Sequence, residues 1–214
     1  MSNRTTHIVV SALTIVLLAA GLLLAPRLPA TVVSHWNFQG VPDGTMPRDA
    51  MLLTFPALIA GLYLLIVVLI GVLPLRENVA AFRPQLNLFL VALSIFLAYV
   101  AALSLVWNLH VRFSLSLLIL PATAGLFYVI GDILGRAKRN WLFGIRTPWT
   151  LSSDRVWNDT HHFGGWVFKA CALLTLGAVF LGDAGWPLLL IPLLVGSLAT
   201  VAYSYFAWRR AARA

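Results

Sequence analysis

Residues 136–157 read RAKRNWLFGIRTPWTLSSDRVW, a stretch with five basic residues and three tryptophans. The chain turns apolar on both sides, over residues 114–134 before it and 164–181 after it. A membrane-crossing helix needs about 20 mostly apolar residues, and Lys and Arg gather in the loops that stay in the cytoplasm. A basic, aromatic segment between two such runs therefore reads as a cytoplasmic loop joining two spans. That placement orients the rest of the chain.

The whole composition points the same way. Of 214 residues, 60% are hydrophobic and 10% charged, with a mean hydropathy of +0.89. A soluble domain has about 45–50% apolar and about 25% charged residues. Too few polar residues are present to face water around a globular core. The net charge is +8 and the isoelectric point near 10.6. The basic residues are scattered over short loops without a continuous face, which argues against direct nucleic-acid binding. The single cysteine, Cys171, lies in an apolar run and has no partner for an intramolecular disulfide.

Six runs are apolar enough to span, at residues 7–24, 51–73, 88–107, 114–134, 164–181 and 187–208. The first has an apolar region of about 17 residues, longer than the roughly 7–15 of a signal peptide, and predicts a retained helix. With the N-terminus inside, Arg4, Arg76, Arg83, Arg136, Lys138, Arg139, Arg146, Arg155, Arg209, Arg210 and Arg213 face the cytoplasm. Only Arg27, Arg48 and Arg112 face outward, and Lys169 lies near the inner end of the fifth run. This asymmetry predicts both termini in the cytoplasm. Trp36, Trp107, Trp141, Trp149, Trp186 and Trp208 all fall near expected interfaces. The expected fold is an all-α integral membrane protein, a single six-helix domain over residues 1–214. It has one long outer loop, residues 26–50, and one long structured inner loop, residues 135–163.

The outer loop contains HWNFQGVPDG. ATVVSHWNF has the alternation of a short strand, with Val33, His35 and Asn37 on one face and Val32, Ser34, Trp36 and Phe38 on the other. The Pro42-Asp43-Gly44 triplet then predicts a chain reversal, with Gly44 at the positive-φ position and Asp43 bonding the turn backbone. A recognition loop presenting His35, Trp36, Asn37, Gly40, Pro42 and Asp43 competes with a compact cap joining two helices. His35 and Asp43 alone do not close a metal site.

In the inner loop, Gly144 permits a turn and Thr147-Pro148 imposes an extended kink. Thr150, Ser152 or Ser153 can cap a new helix, with Asp154 in its first turn. Trp157 and His161 are four apart and share a face. Arg146 is expected to clamp the turn, bonding loop carbonyls or Asp154. Asp132 pairs with Lys169 or Arg136 near the interface as a structural ion pair.

Gly131-x-x-x-Gly135 followed by KRNWLFGIRTPWTLSSDRVWNDTHHFGG resembles the carboxy-terminal signature of the SdpI immunity protein family. HWNFQGVPDG resembles a short amino-terminal motif of the same family. Residues matching the longer motif are Asn140, Gly144, Ile145, Arg146, Thr147, Pro148, Thr150, Ser152, Trp157, His161 and Gly165. The resemblance implies a six-span protein of the bacterial plasma membrane. It also implies immunity to a secreted peptide toxin outside and signalling to a transcriptional repressor inside, with no known reaction and no cofactor.

Two other functions compete. A metal-dependent enzyme could draw on Asp159, His161 and His162, but adjacent helical histidines point about 100° apart and there is no HExxH. No catalytic residue and no metal ligand set are therefore expected. A transporter needs polar groups near mid-membrane. Here Asp132 and Lys169 lie toward helix ends instead. The oligomeric state is not encoded in any readable feature.

Overall fold

The computed structural model describes residues 1–213. Six long helices carry most of the chain: α1 (Asn3–Leu24), α2 (Arg48–Val72), α4 (Arg83–Asn108), α5 (Leu115–Leu134), α7 (Asp154–Ala178) and α8 (Trp186–Ala211). Two short ones, α3 (Arg76–Ala81) and α6 (Pro148–Ser152), lie in connections. A two-stranded antiparallel hairpin, β1 (Thr31–Trp36) and β2 (Pro42–Pro47), fills the loop between α1 and α2. Five stretches are long and apolar enough to cross a membrane. The fifth, Asp154–Ala211, is broken near its middle: a 3-10 segment over Val179–Gly185 contains Gly182 at φ 55°, ψ −131°, and there the chain reverses from α7 into α8.

The helices form two layers of three. Helix α1 packs on α2 and α4, α7 packs on α5 and α8, and the layers meet where α4 touches α5. Helices that are apolar all round, such as α2, leave side chains like Leu64, Val68 and Val72 exposed, which suits a lipid surround. Helices α5 and α7 meet backbone to backbone. A Cβ on Gly131 would lie 2.7 Å from the Gly165 carbonyl oxygen, and a Cβ on Gly165 would lie 2.7 Å from that of Gly131. Only glycine on both helices lets the two backbones approach this far.

The helix expected with Asp154 in its first turn forms and runs straight into the fifth span, so the fifth long helix begins at Asp154. Of the three expected caps, Ser153 is the one used, accepting from the Val156 N–H. The short helix α6 before it is capped by Thr147, in a capping box with Thr150. The outer turn is corrected. The Pro42-Asp43-Gly44 triplet is not a turn but the start of β2, with Pro42 paired to Trp36 and Gly44 to His35. The chain reverses one step earlier, at residues 37–41, where Gly40 takes φ 70° and Asn37 Oδ1 accepts from the N–H groups of Gln39 and Val41. Gly44 serves sterically, since a Cβ there would sit 2.8 Å from His35 Cβ.

The glycine contact generates a stability test. Gly165→Ala forces a methyl group against a carbonyl and should cost about 1–3 kcal/mol by overpacking. The thermal unfolding midpoint in detergent should fall. Gly125→Ala, on the same α5 but facing open space, should leave that midpoint unchanged or slightly raised.

Candidate functional site

The inner loop, residues 135–153, wraps back on the helices it joins. Its backbone polar groups must find partners in a space partly closed to water. Asn140 is fully buried and supplies four. Its Nδ2 donates to the carbonyls of Lys138 (2.7 Å) and Phe143 (3.2 Å), and its Oδ1 accepts from the N–H groups of Leu142 (2.8 Å) and Phe143 (2.7 Å). Every hydrogen-bonding capacity of the side-chain amide donors and at least one oxygen lone pair is thus engaged by its own loop.

His161 anchors the next turn. Its ring stacks on Trp157 at 3.8 Å between centroids and 16° between planes. The Ile145 N–H donates to Nε2 at 2.9 Å, and Nδ1 lies 2.8 Å from the Trp157 carbonyl oxygen. An N–H pointing at Nε2 requires a lone pair there, so the proton sits on Nδ1 and is donated to Trp157. Gly144 sits over this ring with φ 118°, and any Cβ would collide with the imidazole. Trp157 is itself fully buried and donates through Nε1 to the Ala137 carbonyl at 2.7 Å. Trp157 and His161 thus share a face as expected, and both ring nitrogens of His161 are committed to backbone.

Arg139, not Arg146, holds Asp154. Its Nε donates to Asp154 Oδ1 at 2.7 Å and Nη1 to the Leu151 carbonyl at 2.7 Å, tying the loop start to the α6–α7 junction. Arg146 donates to the Trp141 carbonyl, the loop-carbonyl half of its expected clamp. Thr147 and Pro148 start α6, and the buried Thr150 hydroxyl donates to the Ile145 carbonyl at 2.8 Å. Trp149 reaches α8 by donating to Ser204 Oγ.

The loop also crosses to the other layer. Asn78 of α3 donates to the Arg139 carbonyl at 2.7 Å, Phe143 packs on Phe89 of α4, and Trp157 joins Phe82, Leu86 and Leu90 in one apolar cluster. Neither α3 nor Asn78 carries a signal that a sequence reading would single out. Arg139 was visible only as one of a basic run.

The outer hairpin makes the reverse crossing. It is rooted in its own layer by Asn108 of α4, whose buried amide accepts from Val33 N–H at 2.8 Å and donates to the Val33 carbonyl at 2.9 Å, taking the place of a third strand. Trp36 packs edge-on against Trp107 at 5.6 Å. The tip then reaches the far layer. Phe38 lies 5.9 Å from Trp186, and Gly40 faces Asp183, whose carboxylate is held by the Ser116 hydroxyl at 2.6 Å. His35 Nδ1 and Asp43 Oδ1 are 2.5 Å apart across the strands, with both side chains well exposed. Among the described residues no third metal-type ligand joins them. Asn37, Gly40 and Pro42 form the tip and the start of the return strand.

Asp132 lies within 3.1 Å of Arg136 and 4.0 Å of Lys169. His162 and Asp159 are exposed on α7, facing away from the buried His161.

Residues 136–205 match the model of the SdpI/YfhL protein family, and residues 12–60 match a domain of unknown function (DUF1648). The chain is 22% identical over 191 residues to Immunity protein SdpI of Bacillus subtilis (strain 168), covering 88% of this chain and 89% of that protein. No solved structure matches. The first matched block contains the inner loop, α7 and most of α8, and the second contains the outer hairpin with the adjoining halves of α1 and α2.

The loop geometry is open to test by proteolysis. His161→Phe keeps the stacking on Trp157 but leaves the Ile145 N–H without an acceptor, at about 1–3 kcal/mol. Asn140→Ala removes four bonds and should cost at least as much. Trypsin cleavage after Arg146 in micelles should accelerate in both variants relative to wild type.

Proposed function

We propose that this chain is a multi-pass protein of the bacterial plasma membrane that confers immunity to a secreted peptide toxin and transmits the toxin's presence to a repressor inside. In this reading α1, α2, α4, α5, α7 and α8 are six spans of one domain. Both termini, the α2–α4 connection with Arg76 and Arg83, and residues 135–155 face the cytoplasm, and together they hold eleven of the fifteen basic residues. The similarity to Immunity protein SdpI supports the immunity role.

One structural observation supports the coupling. Each loop is carried by one layer and seated on the other: the hairpin between α1 and α2 reaches Asp183 and Trp186, and the loop between α5 and α7 reaches Asn78 and Phe89. A peptide that engages His35, Asp43 or the exposed Phe38 at the hairpin tip competes with the tip's own contact on the far layer. Because the inner loop bridges the same two layers, a change in their spacing alters the surface it presents. Such a peptide shifts the inner state only as far as it prefers one spacing over the other.

The test deletes the gene from its host and challenges the cells with the peptide fraction of spent medium from that host. The deletion strain should be sensitised, wild-type protein should restore resistance, and Phe38→Ala should restore it less at equal membrane abundance. Equal resistance of the deletion and parent strains would overturn the immunity reading.

A further inference from the structure

Helices α5 and α7 leave an open cleft along their shared face, beginning beside their glycine contact. At the inner-loop end it is a polar space of about 170 Å³ lined by Asp132, Arg136, His162, Trp166 and Lys169 around the glycines. It continues as an apolar groove of about 740 Å³ bounded by Pro121, Gly125, Tyr128, Ala172, Leu173 and Leu176. Trp166 and Lys169 belong to both parts, so the two form one amphipathic channel. From Pro121 to Leu134, where α5 ends just before Arg136, the helix rises about 20 Å at 1.5 Å per residue. That matches one leaflet with its headgroups, about 20 Å.

The charge in the polar part is unbalanced. Arg136 Nε and Nη2 both donate to Asp132 Oδ1, at 3.3 and 3.1 Å, and Lys169 Nζ stands 4.0 Å from the same oxygen. One carboxylate serves two cations, leaving a net positive site. Lys169 Nζ is also bracketed by the rings of Tyr128 at 5.6 Å and Trp166 at 5.3 Å, which hold the ammonium at the junction of polar and apolar parts. Arg136 Nη1 makes no hydrogen bond among the described residues.

The groove is lined by small residues and flanked by exposed large ones. A Cβ on Gly125 would meet no atom within 4 Å. Tyr128, Trp166 and Leu173 are 58%, 63% and 71% exposed. An occupant therefore has an anionic head for Arg136 and Lys169 and an apolar tail of about one leaflet's length.

We propose that the α5–α7 cleft binds one anionic phospholipid, its phosphate on Arg136 and Lys169 and one acyl chain lying beside Gly125. The site is separate from the hairpin tip, and its occupancy braces the same helix pair that carries the inner loop.

Native mass spectrometry of the full chain, released from micelles carrying equal phosphatidylglycerol and phosphatidylcholine, tests this. One phosphatidylglycerol should be retained in preference to phosphatidylcholine. Arg136→Gln and Lys169→Gln should each lower its retention about fivefold, the expected loss for one basic residue at a lipid surface. Gly125→Leu fills the groove from open space without touching either cation, and it should also abolish the preference while leaving the thermal midpoint of the lipid-free protein intact. Soluble glycerol phosphate, offered at the same concentration, should not compete, because it lacks the chain. Equal retention of the two lipids, a Gly125→Leu variant that binds as wild type, full competition by glycerol phosphate, or a lipid-free dimer buried along this face would each overturn the proposal.

Discussion

The backbone contact between Gly131 on α5 and Gly165 on α7 constrains everything around it. It presses the end of one helix against the first half of another. The chain joining them, residues 135–153, folds back onto the helices and buries Ala137, Asn140 and Thr150. That places backbone N–H and C=O groups where solvent does not satisfy them, and an unpaired buried group costs about 1–3 kcal/mol. The loop's unusual residues answer that demand. Asn140, Trp157, His161, Thr150 and Arg139 each end on a main-chain atom of the loop or of its flanking turns. A histidine that looks like chemistry in the sequence is here a backbone acceptor and donor.

The hairpin solves a milder form of the same problem. A two-stranded hairpin is marginal alone in water. Asn108 gives β1 a partner from a helix, and the aromatic pair Trp36–Trp107 covers one face. Beyond these local supports, both loops reach across the boundary between the two helix layers in opposite directions, through Phe38–Trp186 on one side and Asn78–Arg139 on the other. The layers themselves meet mainly through α4 and α5, so the two loops add clasps at the two ends of that seam.

The helices were legible in the sequence because their signal is length and apolarity, which depend on no distant contact. The polar start of α7 was readable from its Ser153 cap and Asp154, whereas the separate short helix α6 before it was not, because its Thr147 cap closes on Thr150 only in the folded loop. The Trp157–His161 face followed from spacing alone. The position of the hairpin turn did not, because Pro-Asp-Gly is a strong local turn signal that lost to an equally local one, Asn37 Oδ1 accepting from Gln39 and Val41 with Gly40 at positive φ. Arg146 and Arg139 carry equal charge, and only the folded loop shows that Arg139 is nearer Asp154. The short helix α3 and Asn78 were unreadable for the same reason: their partner, the Arg139 carbonyl, lies 61 residues away.

The account depends most on the inner loop being a fixed, internally satisfied structure and not a flexible tether. Amide hydrogen exchange of the protein in lipid nanodiscs measures this at Leu142, Phe143 and Ile145, whose N–H groups point at Asn140 and His161. These three amides should exchange as slowly as those in the first turns of α7. Exchange at the rate of an unstructured peptide would contradict the account.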